Sequence, residues 1–244
     1  MTSKEKYNKT LEYLKNKNKI LFLTTSNRYE GAEEIPKSSA LAYSLQEAIG
    51  KSKVKVIDVS KLNIYHCVGN VSISTGNTCG LKEAKLKNKD KNPSGHHRCW
   101  VSFNKSDDEL WKITKELFES EVVVFFGSIR WGKLNAIYSK LIERLDWLEN
   151  RHTTLGESNI IKDIEVGVIA IGHNWNDKEA VEHEKKVLDF FGFKTPNTLF
   201  WSHQWTKNYN DESKSGYKRD AIDFKEEFEI DILIEEGVKK FKSF

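Results

Sequence analysis

Residues 122–132 read VVVFFGSIRWG, and no other stretch restricts the possible folds so strongly. Val122 to Phe126 are five consecutive apolar residues, so a strand made from them has no face to show to water and must be covered on both sides. The run then stops in Gly127-Ser128-Ile129-Arg130-Trp131-Gly132, where two glycines bracket a serine, an arginine and a tryptophan. Polar and aromatic groups are therefore expected at the end of a central strand.

Similar apolar runs recur along the chain, and helical periods alternate with them. Ile20 to Leu23 predicts a short central strand. Leu41, Leu45, Ala48 and Ile49 recur at i, i+4, i+7 and i+8, which is one face of a helix. Val54, Val56 and Val59 predict the next strand, with Ile57 facing the other way. Ser106-Asp107-Asp108-Glu109 fits a capping box that opens a helix through Leu110, Ile113 and Leu117. After 122–126, Leu134, Ile137, Tyr138, Leu141, Leu145 and Leu148 lie on a helical face. Val166 to Ile171 predicts a fourth strand. A helix through Val181, Val187, Leu188 and Phe191 follows, with Gly192 as its left-handed cap. Thr198 to Trp201 begins a fifth strand, and 213–243 reads as a terminal helix.

Strand and helix alternating about five times predict a parallel sheet covered on both faces, with right-handed crossovers. Ligands of such sheets sit outside the carboxyl ends of the strands, where the strand order reverses. Three loops are thereby singled out, after Thr25, Phe126 and Ile171. The chain of 244 residues contains no internal repeat or low-complexity linker, so 1–244 is expected to be one domain with a long insertion at about 60–105.

Composition excludes several classes of function. The 39 basic and 36 acidic residues leave a net charge of +3, which gives no reason to expect a nucleic-acid partner or an anionic membrane. No apolar stretch approaches the roughly 20 residues of a spanning helix, and MTSKEKYNKTLEYLKNKNK lacks the apolar core of a secretory signal. Three cysteines in a chain of this length do not make a disulfide framework. A cytoplasmic protein is expected.

The first loop runs from Thr25-Ser26-Asn27-Arg28 to Ser38-Ser39-Ala40-Leu41 and crowds hydroxyl groups between a strand and a helix start. Backbone N–H groups and the positive end of the helix dipole there would hold a phosphate, assisted by Ser26, Ser38, Ser39 and the charge of Arg28. Ser38 or Ser39 could equally do no more than cap the helix. Neither a Walker loop nor G-x-G-x-x-G occurs, so nucleoside triphosphate hydrolysis and Rossmann-type dinucleotide binding have no support. A mononucleotide is the better expectation.

The second loop carries a resemblance. Gly127-Ser128-Ile129-Arg130-Trp131-Gly132 after a strand, then a helix ending Lys140-Leu141-Ile142-Glu143-Arg144, resembles the flavodoxin-like NAD(P)H-dependent FMN reductases. Thr25-Ser26-Asn27-Arg28 is similar to that family's Gly-Ser-Pro-Arg turn, and Ser38-Ser39-Ala40-Leu41 to its phosphate turn. With the third loop, Gly172-His173-Asn174-Trp175, the similarity runs over roughly 19–200. The resemblance implies an α/β three-layer sandwich with a five-stranded parallel sheet in the order 2-1-3-4-5. It implies FMN held by Thr25, Ser26, Arg28, Ser38 and Ser39, by Gly127 to Gly132, and by Gly172, His173 and Asn174. It further implies NAD(P)H as co-substrate, a small acceptor such as a quinone, and a homodimer or homotetramer. Ser128 stands where the family usually has proline, Arg130 where it has tyrosine and Thr25 where it has glycine. An arginine at 130, near the pyrimidine end of a flavin, would favour the anionic reduced form.

The insertion holds Cys67, Cys79 and Cys99, with His96 and His97 beside the last. The family includes iron–sulfur flavoproteins, but three thiolates need His96 or His97 as a fourth ligand, and the spacing matches no common zinc motif. Buried inert thiols, a metal held by Cys67, Cys79, His97 and Cys99, and a redox disulfide are the three readings. Residues 82–98 read as a basic flap over the flavin or an arm to another subunit. Flavin chemistry needs no catalytic side chain, although His173, His203, His96 and His97 are possible proton donors. Trp131, Trp175, Trp201 and Trp205 are candidate walls of the site. An FMN-binding electron carrier without NAD(P)H turnover is the alternative, which the net charge of +3 disfavours.

Overall fold

The computed structural model describes residues 1–29, 32, 34–172, 175–206 and 213–230. Five parallel strands form its sheet: β1 (Ile20–Thr24), β2 (Val54–Asp58), β3 (Val122–Arg130), β5 (Glu165–Gly172) and β6 (Phe200–Gln204), in the order β2-β1-β3-β5-β6. A two-residue strand, β4 (Lys133–Leu134), pairs antiparallel to the end of β3. Without β4 the order is the expected 2-1-3-4-5. β3 is central as its composition requires, with Phe126 opposite Thr24 on one side and Ile169 on the other. Val122 to Phe126 keep at most 1% of their surface exposed.

The helices are α1 (Ser3–Lys15), α2 (Lys37–Ile49), α3 (Trp100–Asn104), α4 (Leu110–Leu117), α5 (Ala136–Leu145), α6 (Trp147–Thr153), α7 (Asp177–Phe190) and α8 (Lys214–Phe228). The chain steps one way from β1 to β2 and the other way from β2 through β3 and β5 to β6. Right-handed crossovers therefore send α2 to one face and the later connections to the other. α1 packs on α2, where the Tyr7 and Ser44 hydroxyls lie 2.8 Å apart, and α8 reaches α1 through Phe228 against Tyr7. Gly192, at φ 92°, ends α7 as expected.

Several expectations fail on identifiable physics. The strand expected to stop at Phe126 continues to Arg130, because β4 supplies a partner for its far end. The supposed loop is a hairpin, turned by Trp131 (φ 52°) and Gly132 (φ 71°). Positive φ at both central residues gives the turn whose twist matches the strands. Ser106 caps nothing: α4 begins at Leu110 after Glu109, and Asp108 is buried for another purpose. α1 was not expected, since its only buried residues are Tyr7, Thr10 and Leu14. A 3-10 turn (Asn197–Leu199) precedes β6, and of the expected helix over 213–243 the part from 231 lies outside the described residues.

The insertion packs onto α4, α5 and α6. Arg144 of α5 is fully buried and donates to both carboxylate oxygens of Asp108 at 2.9 Å, to the Tyr65 carbonyl at 2.7 Å and to the Ser102 hydroxyl at 3.1 Å. Arg151 donates to the His96 carbonyl at 3.0 Å, and Arg98 pairs with Glu157 at 2.6 Å. His97 sits inside, its Nδ1 2.6 Å from the Thr114 hydroxyl. Residues 82–98 are thus bound to this flank and do not form a flap.

Candidate functional site

A cleft of about 390 Å3 opens at the carboxyl ends of β1, β3 and β5, within the range of small-ligand pockets. Its first wall is the turn after β1 and the start of α2. Thr25 is fully buried and ties the turn to β3, its backbone N–H and its hydroxyl both donating to the Phe126 carbonyl, at 2.9 and 3.2 Å. Ser26 comes next and lines the cleft. The N-cap of α2 is Pro36, which provides no side-chain cap. Neither Ser38 nor Ser39 is the cap, and the capping reading of these two residues falls. The Ser38 hydroxyl instead donates to Ser26 at 2.8 Å, and Ser39 is buried away from the opening.

The second wall is the β3–β4 hairpin, from which Ser128, Ile129, Arg130 and Trp131 line the cleft, with Ile171 of β5 beside them. The bracketing glycines serve the hairpin itself. A Cβ on Gly127 would stand 2.6 Å from Leu134 Cδ1 and 3.1 Å from the Thr25 hydroxyl, so a side chain there would make Leu134 of the hairpin shift. Gly132 completes the turn, and its carbonyl accepts from Asn176 at 2.8 Å. Gly172 closes against Ile129 and does not line the opening. His173 and Asn174 lie outside the described residues. Trp131 is 83% exposed at the hairpin tip, an unusual place for an indole and an unusual φ for a residue with a side chain.

One residue joins the two walls. Asn135, the N-cap of α5, accepts from the Tyr138 N–H at 3.0 Å through its amide oxygen. Its amide nitrogen points back to the hydroxyls of Thr25 at 3.3 Å, Ser128 at 3.2 Å and Ser26 at 3.5 Å. The sequence reading missed Asn135. Its signal was a helix-capping residue type directly before a helical period.

Cations dominate the electrostatics. Arg28, Lys37 and Arg130 all line the cleft, and among the described residues Glu34 acts on Arg28 and Lys37, with Asp220 adding a weaker pull on Lys37. Lys37, also missed from sequence, is only 7% exposed. Its ammonium lies 4.0 Å from the centroid of the Trp205 ring and 3.7 Å from Glu34. Burial presses its pKa down, against the pull of Glu34. Partial burial of the Arg28 head lowers its pKa too, Glu34 opposes, and repulsion from Arg130 adds to the lowering. Trp205 in turn stacks on Tyr217 of α8, with ring centres 5.7 Å apart and planes at 20°. Trp205 and Tyr217 both line the cleft.

Of the other tryptophans, Trp175 is exposed beside Gly132, and Trp201 lies elsewhere, bonded to Thr10. No described histidine lines the cleft. His203 is buried against Ser3, and burial with the nearby Lys6 charge lowers its pKa to about 4.

Of the three readings of the cysteines, the metal one finds no support. Among the described residues no group of three His, Cys, Asp or Glu side chains could hold an ion, so Cys67, Cys79, His97 and Cys99 are not a ligand set for zinc or an iron–sulfur cluster. All three thiols are free, and Cys79 and Cys99 are buried. Burial, reinforced by Asp146, pushes the Cys79 thiol far up, away from thiolate chemistry. Cys99 Sγ accepts from Arg144 at 3.5 Å as part of the network that anchors the insertion.

No family model matches this chain, and no curated protein does. Solved structures do. RosB with bound 8-demethyl-8-formylriboflavin-5'-phosphate aligns over 75% of this chain at 12% identity, with a TM-score of 0.51. This chain covers 64% of the RosB chain, just under two thirds. An azoreductase from Bacillus anthracis str. Sterne aligns over 87% of this chain and 97% of its own, at 17% identity and a TM-score of 0.50. The fold is flavodoxin-like. At these identities the likeness extends to the architecture, and the chemistry rests on the cleft.

Proposed function

We propose that the protein is an FMN-dependent NAD(P)H oxidoreductase. One observation carries the reading: three cations, a hydroxyl-rich turn and an aromatic wall converge on one cleft at the switch point of a flavodoxin-like sheet. The donor set fits a phosphorylated flat ring. Lys37, Arg28 and the first turn of α2 suit the phosphate, while Ile129, Trp131 and Ile171 suit a planar ring. RosB, of the same architecture, has a riboflavin-5'-phosphate derivative bound.

Bound FMN would accept a hydride from nicotinamide and hand the electrons to a small acceptor such as a quinone. The chain's own residues have other tasks. Ser26 and Ser38 hold the phosphate turn in shape, and Asn135 fixes that turn against Ser128. Arg130, at the mouth, offers positive charge to an anionic reduced ring or an incoming anionic substrate. A basic cleft suits a nucleotide-consuming enzyme better than a carrier docking on basic partners. No helix among the described residues is long and apolar enough to cross a membrane. A cytoplasmic homodimer or homotetramer goes with this reading.

Anaerobic titration of the FMN-reconstituted protein with NADH and NADPH tests it. Bleaching of the flavin bands by either nucleotide is expected. Protein that binds no FMN removes the cofactor, and protein that binds FMN but stays oxidised with both nucleotides is a carrier.

A further inference from the structure

A second concavity, larger than the cleft at about 480 Å3, lies along the edge strand β6 between α1 and α7. It shares no lining residue with the cleft. Its floor is apolar. Val181, Phe200 and Trp201 line it, each with less than a tenth of its surface exposed. The one polar atom of Trp201 is already used, donating to the Thr10 hydroxyl at 2.9 Å. Thr10 passes the bond on to the Thr198 carbonyl at 2.9 Å.

The rim is basic. Lys6 and Lys9 project from α1 and Lys178 from the first turn of α7, and Glu182 is the one acid among the lining residues. None of the three lysines is in an ion pair among the described residues. Three ammonium groups against one carboxylate around an apolar floor match a ligand with a negative head and an apolar body, because each part meets the surface that stabilises it. The concavity is of small-molecule size, which separates it from a flat protein-docking face.

We infer that the groove between α1, β6 and α7 binds an organic anion of this kind, a carboxylate or sulfonate on an alkyl chain or fused ring. The head lies among Lys6, Lys9 and Lys178, and the body lies on Trp201, Phe200 and Val181. The flavin reading has no part in this assignment.

The test uses the full chain, with and without saturating FMN, and the fluorescent sulfonate 1-anilinonaphthalene-8-sulfonate as probe. One probe molecule per chain is expected, indifferent to FMN, displaced by decanoate and not by the uncharged decanol. Lys6→Glu with Lys9→Glu is expected to weaken decanoate displacement about tenfold. Val181→Trp, which fills the floor, is expected to abolish probe binding. Three results overturn the assignment: FMN removes the probe signal, decanol competes as well as decanoate, or the double lysine variant binds like the parent. A chain that takes up no probe, and sediments as a dimer that the lysine variant dissolves, overturns it as well by showing the groove covered by a second copy.

Discussion

Arg144 and Arg130 are the same side chain in two opposite settings. Arg144 has no exposed surface, and its two terminal nitrogens are matched by Asp108, Ser102, Cys99 and the Tyr65 carbonyl. Arg130 stands at the mouth of the cleft, close enough to Arg28 to repel it, and makes no ion pair among the described residues. The first cation is answered from within the chain and anchors the insertion. The second belongs to a group, with Arg28 and Lys37, that is met among the described residues by Glu34 and, at Lys37, by Asp220. Matched charge builds the molecule, and unmatched charge at a concavity prepares it for something from outside.

The comparison breaks most severely at Asp108. Asp108→Asn leaves the Arg144 charge buried without its counter-ion, and a loss of about 3–5 kcal/mol in urea unfolding is expected. Burial pushes the Asp108 carboxyl up, but the hydrogen bonds from Arg144 and Ser102 outweigh it and hold its pKa below the usual range. Its stabilising effect is therefore complete above the unfolded carboxylate value near 4 and is lost as pH falls through the lower folded value.

A second effect comes from His97 on the same flank. Burial lowers its pKa to about 3, with Asp108 opposing and Arg144 assisting. The unfolded chain takes up this proton near pH 6.5 and the folded chain does not, so stability is full above 6.5 and falls towards pH 3. The slope is about 1.4 kcal/mol per pH unit for one such group. His97→Gln should remove one proton's worth of slope from unfolding curves measured between pH 6 and 4.5. An unchanged slope would mean that His97 is charged inside the fold.

On the cleft side the expected effects concern binding. Lys37→Met should weaken FMN about tenfold, roughly 1.4 kcal/mol, and leave riboflavin, which has no phosphate, unchanged. Equal losses for both ligands would move Lys37 from the phosphate to the ring. The smallest effect is expected at the hairpin tip. Trp131→Asn puts a residue that tolerates positive φ into the turn and should raise stability by up to about 1 kcal/mol. If acceptor turnover falls while stability rises, Trp131 is kept at that tip for a ligand.

The sheet was legible because Val122 to Phe126 and Val166 to Ile171 can only be buried strands, and local composition decides that. The hairpin was not, since Trp-Gly is not a turn pair that sequence signals announce, and β4 is two residues long. Asp108 read as part of a cap because capping is local, whereas its partner Arg144 is 36 residues away. In the cleft, Ser26, Arg28 and Ser38 were found from loop position, and Ser128 to Trp131 from loop position together with the family resemblance. Trp205 was among the candidate walls, whereas Lys37 and Tyr217 were missed because their meeting with it depends on where β6 and α8 return to the sheet.

Asn135 gives the cleft a property that neither wall has alone. Its single amide nitrogen is shared among the hydroxyls of Thr25, Ser26 and Ser128, and it can donate only two protons to three acceptors. A ligand group that donated to the Ser26 oxygen in place of Asn135 would leave that proton for Ser128, and the reverse would also hold. Occupancy of the two ends is then thermodynamically coupled, so a molecule reaching both would bind with a free energy different from the sum of its halves.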